Sequence, residues 1–175
     1  MSDRPPEAGS ERLPDAESIY RSLLEQVRAG LEAESRRPSI IGVHSGGAWI
    51  AERLQRDLGL ATPLGFLSSA FHRDDYGARG LPENIKPTQI GFEVAGADIL
   101  LVDDILFTGR TVRAALNEIF DYGRPARVEL AVLLDRGHRE LPVAARYVGL
   151  DRPLAPPAAY VLSMDTHGRL RLEVE

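Results

Sequence analysis

Two adjacent carboxylates, Asp103 and Asp104, follow the apolar run Ile99-Leu100-Leu101-Val102. After them come Ile105-Leu106-Phe107 and then Thr108-Gly109-Arg110-Thr111. The apolar run reads as a buried strand. A turn follows the acidic pair, and Thr108 to Thr111 opens an amphipathic helix. Carboxylates accept hydrogen bonds from hydroxyls and support a hard metal ion. A helix start offers unpaired backbone N–H groups and the positive end of its dipole to an anion. Together these are the parts needed to hold a sugar phosphate: the carboxylates for sugar hydroxyls, the threonine hydroxyls and local N–H groups for the phosphate. Gly109 permits close approach, and Arg110 can add charge. An acidic pair also stands at solvated turns and in response-regulator receiver domains. In a receiver the pair lies near the start of the domain. Here at least two strands and two helices come first, and the Thr-Gly loop follows directly.

Three more segments carry candidate chemistry. His44-Ser45-Gly46-Gly47 is a tight turn of mostly small residues, either an ordinary strand–helix turn or one whose amides approach an anion. Phe71-His72-Arg73-Asp74-Asp75 opens a charged stretch, residues 72–87, rich in Gly and Pro. Loops of that length in compact domains are usually functional. Arg73 either reaches the anion of the site or pairs with Asp74 or Asp75. Asp135-Arg136-Gly137 ends another apolar run, and the alternative for Asp135 is a turn or helix cap. His138 and Arg139 are ambiguous. The four histidines are scattered without metal-ligand spacing, which argues against a structural zinc site. No Ser-His-Asp arrangement can be argued.

These residues must be positioned by the elements around them. Residues 1–12 read as a disordered lead. A first helix starts near Asp15 and buries Ile19, Leu23, Val27 and Leu31. Ser39 to Val43 is a short strand. Ile50, Ala51, Leu54 and Leu58 mark a second helix closed by Gly59. Leu64 to Phe71 reads as a strand, Thr88 to Val94 as a returning strand, and Asp98 to Val102 as a core strand. The helix from Gly109 to Tyr122 is expected to bury Val112, Ala115, Leu116, Ile119 and Phe120, and Gly123 and Pro125 end it. Val128 to Leu134 reads as a central parallel strand. Arg146 to Val148, Tyr160 to Met164 and an alternating segment at Leu170, Leu172 and Val174 complete the chain. Strand–helix alternation predicts an α/β parallel sheet. Sites in such sheets form beyond the carboxyl ends of the strands, where His44 to Gly47, Asp103 to Thr111 and Asp135 to Arg139 all begin.

The segment from Asp103 to Thr111 resembles the phosphoribosyl-pyrophosphate motif of type I phosphoribosyltransferases. The likeness continues through Val112-Arg113-Ala114-Ala115, Asp121-Tyr122-Gly123-Arg124-Pro125 and Leu134-Asp135-Arg136-Gly137-His138-Arg139-Glu140-Leu141-Pro142. Those blocks are similar to one branch, the pyrimidine operon regulator / uracil phosphoribosyltransferase family, over roughly residues 38 to 165. The resemblance implies a single domain over residues 1–175, with a type I phosphoribosyltransferase fold: a parallel core sheet flanked by helices, with a small hood. It implies formation of UMP and pyrophosphate from uracil and phosphoribosyl pyrophosphate, with Mg2+. Asp103 and Asp104 would serve the ribose 2′ and 3′ hydroxyls and the metal, and Thr108 to Thr111 the 5′-phosphate. His44 to Gly47 would form the pyrophosphate loop, and Arg73 would bind pyrophosphate oxygens from a closing lid. Asp135 would support Mg2+ through water, with the backbone at Asp135, Arg136 and Gly137 reading uracil and Arg136 stacking on it. The resemblance also implies self-association and, as a second reading, a nucleotide-sensing regulator that binds pyrimidine-operon leader RNA. Arg124, Arg127, Arg136, His138, Arg139 and Arg146 are candidates for its basic surface.

Two residues depart from the wider pattern. Many relatives have an arginine where Gly46 stands, so the pyrophosphate loop here lacks a charge. Purine enzymes of this type commonly have an aspartate where Phe107 stands. A phenylalanine offers neither charge nor hydrogen bond, so it forms either an apolar wall compatible with a pyrimidine or simple loop packing.

Composition bounds these readings. The 175 residues suit one domain with an adequate core. There is no cysteine, which excludes disulfides, thiolate metal sites and cysteine catalysis. The polar, acidic amino terminus shows no apolar signal region, and no apolar run is long enough to span a bilayer, so a cytoplasmic, membrane-free protein is expected. The net charge of -5 disfavours general nucleic-acid binding but leaves room for a local basic face.

Overall fold

The computed structural model describes residues 13–68 and 86–175. Arg73 with its neighbours, most of the 72–87 loop and the 1–12 lead lie outside the described residues. The first helix, α1 (Ala16–Ala33), carries the expected stripe: Ile19, Leu23, Val27 and Leu31 are all buried. Asp15 precedes it, but its carbonyl, not its side chain, accepts from Ser18 and Ile19. The chain continues through β1 (Ser39–Val43), α2 (Gly46–Asp57), β2 (Leu64–Leu67) and β3 (Asp98–Leu106). Then come α3 (Arg110–Tyr122), β4 (Arg127–Asp135), β5 (Tyr147–Asp151), β6 (Tyr160–Met164) and β7 (Leu170–Val174).

Five strands form a parallel sheet in the order β2-β1-β3-β4-β5. Both faces are covered, so the strands are apolar on both sides. Ile40, Leu100, Val102, Ala131 and Leu133 face one core, filled by Leu23, Val27 and Leu31 from α1 and by Ile50 and Leu54 from α2. Ile41, Val43, Leu101 and Val132 face the other core, filled by Val112, Ala115 and Ile119 of α3. The antiparallel hairpin β6–β7 contributes Leu162 and Leu170 to the first core and forms the small hood beside α1. Glu17 of α1 ties the hood down: its carboxylate accepts from the Leu170 N–H at 2.8 Å and from both terminal nitrogens of Arg53.

Several elements differ from the sequence-based expectation. Strand β3 runs to Leu106, so Asp103 and Asp104 lie within it; Asp103 pairs with Val132 and Leu106 with Asp135. Thr88 to Val94 is not a strand. Only Gln89 bridges Phe66, while Ile90, Phe92 and Val94 pack their side chains on the second core. Pro87 has no N–H to donate, and β2 is only four residues long, so a ladder has little to extend along. Phe120 is 54% exposed because the buried face of α3 follows Val112, Ala115 and Ile119, and the next residue turns about 100° away. Strand β5 begins at Tyr147 and extends to Asp151.

The opposite, amino-terminal edge of the sheet is bound by ions. Arg36 reaches Asp98 and Glu129, Arg146 reaches Glu34 and Glu129, and Arg127 lies 2.6 Å from Glu34. The Arg127 and Arg146 guanidiniums hold the Glu34 carboxyl down at about 2.

Candidate phosphate, sugar and base site

The strand order reverses between β1 and β3: from β1 the chain moves outward to β2, then returns to β3 and continues the other way to β4 and β5. Ligands in open parallel sheets bind at such a switch point. The loops leaving β1 and β3 are His44 to Gly47 and Phe107 to Gly109. The register sets Gly42 beside Val102, so the first loop emerges next to Asp103.

Contact between these two segments is close. Helix α2 starts directly at Gly46, and both glycines are buried. A Cβ at Gly46 would stand 2.2 Å from Asp104 Oδ2 and 2.8 Å from Asp104 Cβ. One at Gly47 would stand 2.5 Å from the Val102 carbonyl oxygen. The glycines thus let the amino end of α2 lie against the carboxylates. Any side chain at position 46 would have to displace the Asp104 carboxylate. Asp103 is 5% exposed, and its Oδ1 accepts from the Asp104 N–H at 2.9 Å; Asp104 Oδ1 accepts from the Ile105 N–H at 2.9 Å.

His44 donates its backbone N–H to the Leu67 carbonyl at 2.9 Å, and the His44–Ser45 peptide is cis. Its ring stacks on Phe66, with centroids 5.3 Å apart. Burial, with a contribution from Lys86, lowers the imidazole pKa, so the ring is neutral at neutral pH. Its buried Nδ1 has no hydrogen-bond partner among the described residues.

The loop after β3 turns at Gly109, whose φ of 92° is left-handed backbone that favours glycine. Thr108 is buried; its Oγ1 accepts from the Arg110 N–H at 3.2 Å, and its carbonyl accepts from Glu140 and Leu141. Thr111 lies in the first turn of α3 and is half-buried. Arg110 pairs with Glu140 at 2.6 Å, so its charge is shared with a carboxylate rather than turned wholly to an anion.

The third loop leaves β4. Arg136 was expected to stack on the base; instead it is 5% exposed, its guanidinium 3.9 Å over the Phe107 ring. It donates through Nη2 to the Leu154 and Ala158 carbonyls, both at 2.9 Å. Arg136 therefore supports Phe107 from behind. Arg139, left ambiguous by the sequence, staples the loops together. It donates to the Phe107 carbonyl at 2.7 Å, to the Val143 carbonyl at 3.0 Å, and to Asp135 Oδ2. The Gly137 N–H donates to Asp135 Oδ1 at 2.9 Å. The spacing of four residues from Asp135 was the one signal for Arg139 in the sequence; its reach to Phe107 comes from tertiary structure.

Among the described residues no cluster of three or more His, Asp or Glu side chains could by itself cage a metal. Mg2+ seldom needs one, since it commonly takes one or two carboxylates plus substrate oxygens and waters. Asp103 and Asp104 fit that pattern. Asp135 is a weaker candidate, because Arg139 already neutralises one of its oxygens. The six residues considered for an RNA surface do not form one face. Arg127 and Arg146 are ion-paired at the far edge of the sheet, and Arg136 is buried.

Comparison with known proteins gives the family and the fold. A family model described as phosphoribosyl transferase domain matches residues 11–158. The chain is 52% identical over 155 residues to a protein of Ralstonia nicotianae named Bifunctional protein PyrR, covering 88% of each. It is 50% identical over 143 residues to the protein of the same name from Nitrosococcus oceani, covering 80% of this chain and 81% of that one. Among solved structures it is similar to a hypoxanthine-guanine phosphoribosyltransferase of Bacillus anthracis, with a TM-score of 0.62 and 21% identity over 85% of this chain and 86% of that chain. A hypoxanthine phosphoribosyltransferase of Staphylococcus aureus gives a TM-score of 0.62 at 23% identity, over 82% and 78%. At those identities the two structures establish the fold alone.

Proposed function

Because the chain belongs to the phosphoribosyl transferase family, in the branch of the proteins named Bifunctional protein PyrR, we propose that it transfers the phosphoribosyl group of phosphoribosyl pyrophosphate to uracil. The products are UMP and pyrophosphate. The observation that carries this reading is the packing of Gly46 and Gly47 onto the strand bearing Asp103 and Asp104, which joins a leaving-group loop to a sugar-holding acidic pair.

Asp103 and Asp104 take the ribose 2′ and 3′ hydroxyls. The N–H groups and hydroxyls from Thr108 to Thr111, reached through Ile105 and Leu106 at the end of β3 and then Phe107, hold the 5′-phosphate at the start of α3. His44 to Gly47 face the pyrophosphate. Phe107, held by Arg136, walls the base pocket, and the backbone at Asp135 to Gly137 reads the uracil edge. N1 of uracil attacks the anomeric carbon as the bond to pyrophosphate breaks, through a state with oxocarbenium character. Positioning and charge stabilisation supply the rate. Bound Mg2+ would neutralise pyrophosphate charge, held by Asp103 and Asp104 and, through water, by Asp135. Arg73 completes the leaving-group site. The protein works as one domain over residues 1–175, self-associates, and acts in the cytoplasm. No helix among the described residues is long and apolar enough to cross a membrane.

A regulatory role accompanies catalysis in this reading: binding pyrimidine-operon leader RNA under control of a uridine nucleotide. The relatives' name, bifunctional, favours it. If catalysis is weak, with no cation in the loop at Gly46, the regulator becomes the chief role. Asp104→Asn and Thr111→Ala test the site. Asp104→Asn removes the charge of an acceptor and Thr111→Ala removes a donor to a charged phosphate, each on the order of a charged hydrogen bond at about 1.5–3 kcal/mol, so affinity for phosphoribosyl pyrophosphate falls about tenfold or more without a change in melting midpoint. Full activity in either variant contradicts the assignment.

A further inference from the structure

We propose that Lys86 binds the diphosphate of the substrate and so supplies the cation that the leaving-group loop lacks; this rests on the transferase reading above. The need arises from the loop itself. His44 is neutral, Ser45, Gly46 and Gly47 carry no charge, and no side chain fits at position 46 while Asp104 stays in place. Asp103 and Asp104 add negative charge at the same point, and a diphosphate brings more. Arg73 is assigned to the same diphosphate but lies outside the described residues, and the arginines described nearby are committed elsewhere. Arg110 pairs with Glu140, Arg139 with Asp135, and Arg136 is buried under Phe107.

Lys86 is placed at this loop by backbone pairing. Phe66 and Gln89 exchange two antiparallel hydrogen bonds of 2.8 Å. One residue further, Thr88 Oγ1 accepts from the Ser68 N–H at 2.9 Å. Read backward from Gln89, the chain therefore runs past the carboxyl end of β2, and Lys86 lies beyond it. Phe66 is the residue on which His44 stacks, so this is the flank of the leaving-group loop. From there the positive charge of Lys86 adds to burial in lowering the imidazole pKa. Lys86 is exposed and has no ion pair among the described residues. A flexible stem bearing a compact charge suits a phosphate contact.

The test compares wild type, Lys86→Met and Lys86→Arg in the full chain, with Mg2+ present. Calorimetry measures pyrophosphate and UMP, and kinetics measures phosphoribosyl pyrophosphate. UMP has no diphosphate and serves as the control for folding and for the rest of the site. Lys86→Met is expected to weaken pyrophosphate binding and raise KM for phosphoribosyl pyrophosphate about tenfold, the order of one charge-assisted contact. UMP affinity stays within about twofold, and Lys86→Arg restores most of the loss. Unchanged pyrophosphate binding, or equal losses for pyrophosphate and UMP, overturns the proposal. If wild type makes no UMP from uracil, the transferase reading fails, and the pyrophosphate measurement still decides the role of Lys86.

Discussion

At position 46 one methyl group is the difference between a working contact and a collision. Its carbon would stand 2.2 Å from Asp104 Oδ2, inside any allowed contact, and the movable partner is the carboxylate assigned to ribose. Overpacking of this kind costs about 1–3 kcal/mol. Gly46→Ala is therefore expected to raise KM for phosphoribosyl pyrophosphate by about tenfold, leaving helix α2 intact by circular dichroism. An unchanged KM would mean that Asp104 does not hold the sugar. The residue types of this site were legible because they are contiguous: Asp103 to Thr111, His44 to Gly47 and Asp135 to Gly137 each carry their chemistry in a short run. What escaped were residues that act across the fold. Arg136 turned out to support Phe107 rather than face the pocket, and Arg139 reaches a carbonyl 32 positions away. Neither contact has a local signature. Departure from the arginine pattern at Gly46 was visible, but the approach of α2 to β3 there was not.

Among the elements, hydrophobic period revealed the core strands and helices, since each buries a stripe or a face. It failed where apolar side chains pack without a ladder, at Ile90, Phe92 and Val94, and where one apolar residue lies off the stripe, at Phe120. The hood depends on polar contacts that no period reports. Glu17 joins α1, α2 and β7 through Arg53 and the Leu170 N–H, with both charged side chains less than one-fifth exposed. The Arg53 guanidinium holds the Glu17 carboxyl below its ordinary value of 4.5. A depressed folded-state pKa means that folding releases protons, so this contribution is fully present above about pH 4.5 and is lost as pH falls through the lowered value. Glu17→Gln is expected to cost about 1–2 kcal/mol at neutral pH and to flatten the loss of stability on acidification. Denaturant titrations at pH 7 and below 4.5 check both. A variant that tracks wild type at every pH would show that Glu17 does not hold the hood.

On the scale of the whole molecule, the two edges of the sheet divide the labour. The amino-terminal edge is closed by Arg36, Arg127 and Arg146 against Glu34, Asp98 and Glu129. The carboxyl edge carries the loops that leave β1, β3 and β4, around the switch point of the strand order 2-1-3-4-5, where open parallel sheets hold their ligands in a crevice. Net charge alone did not reveal this division, because its acidic and basic members are interleaved along the chain and meet only in the fold. Formation of UMP at this crevice is tested directly by product formation from labelled uracil, phosphoribosyl pyrophosphate and Mg2+, beside parallel reactions with orotate and hypoxanthine. UMP formed from uracil, with no product from the other two bases, is the result expected of the proposed uracil transferase. Product from hypoxanthine or orotate instead of uracil, or from no base at all, would contradict it.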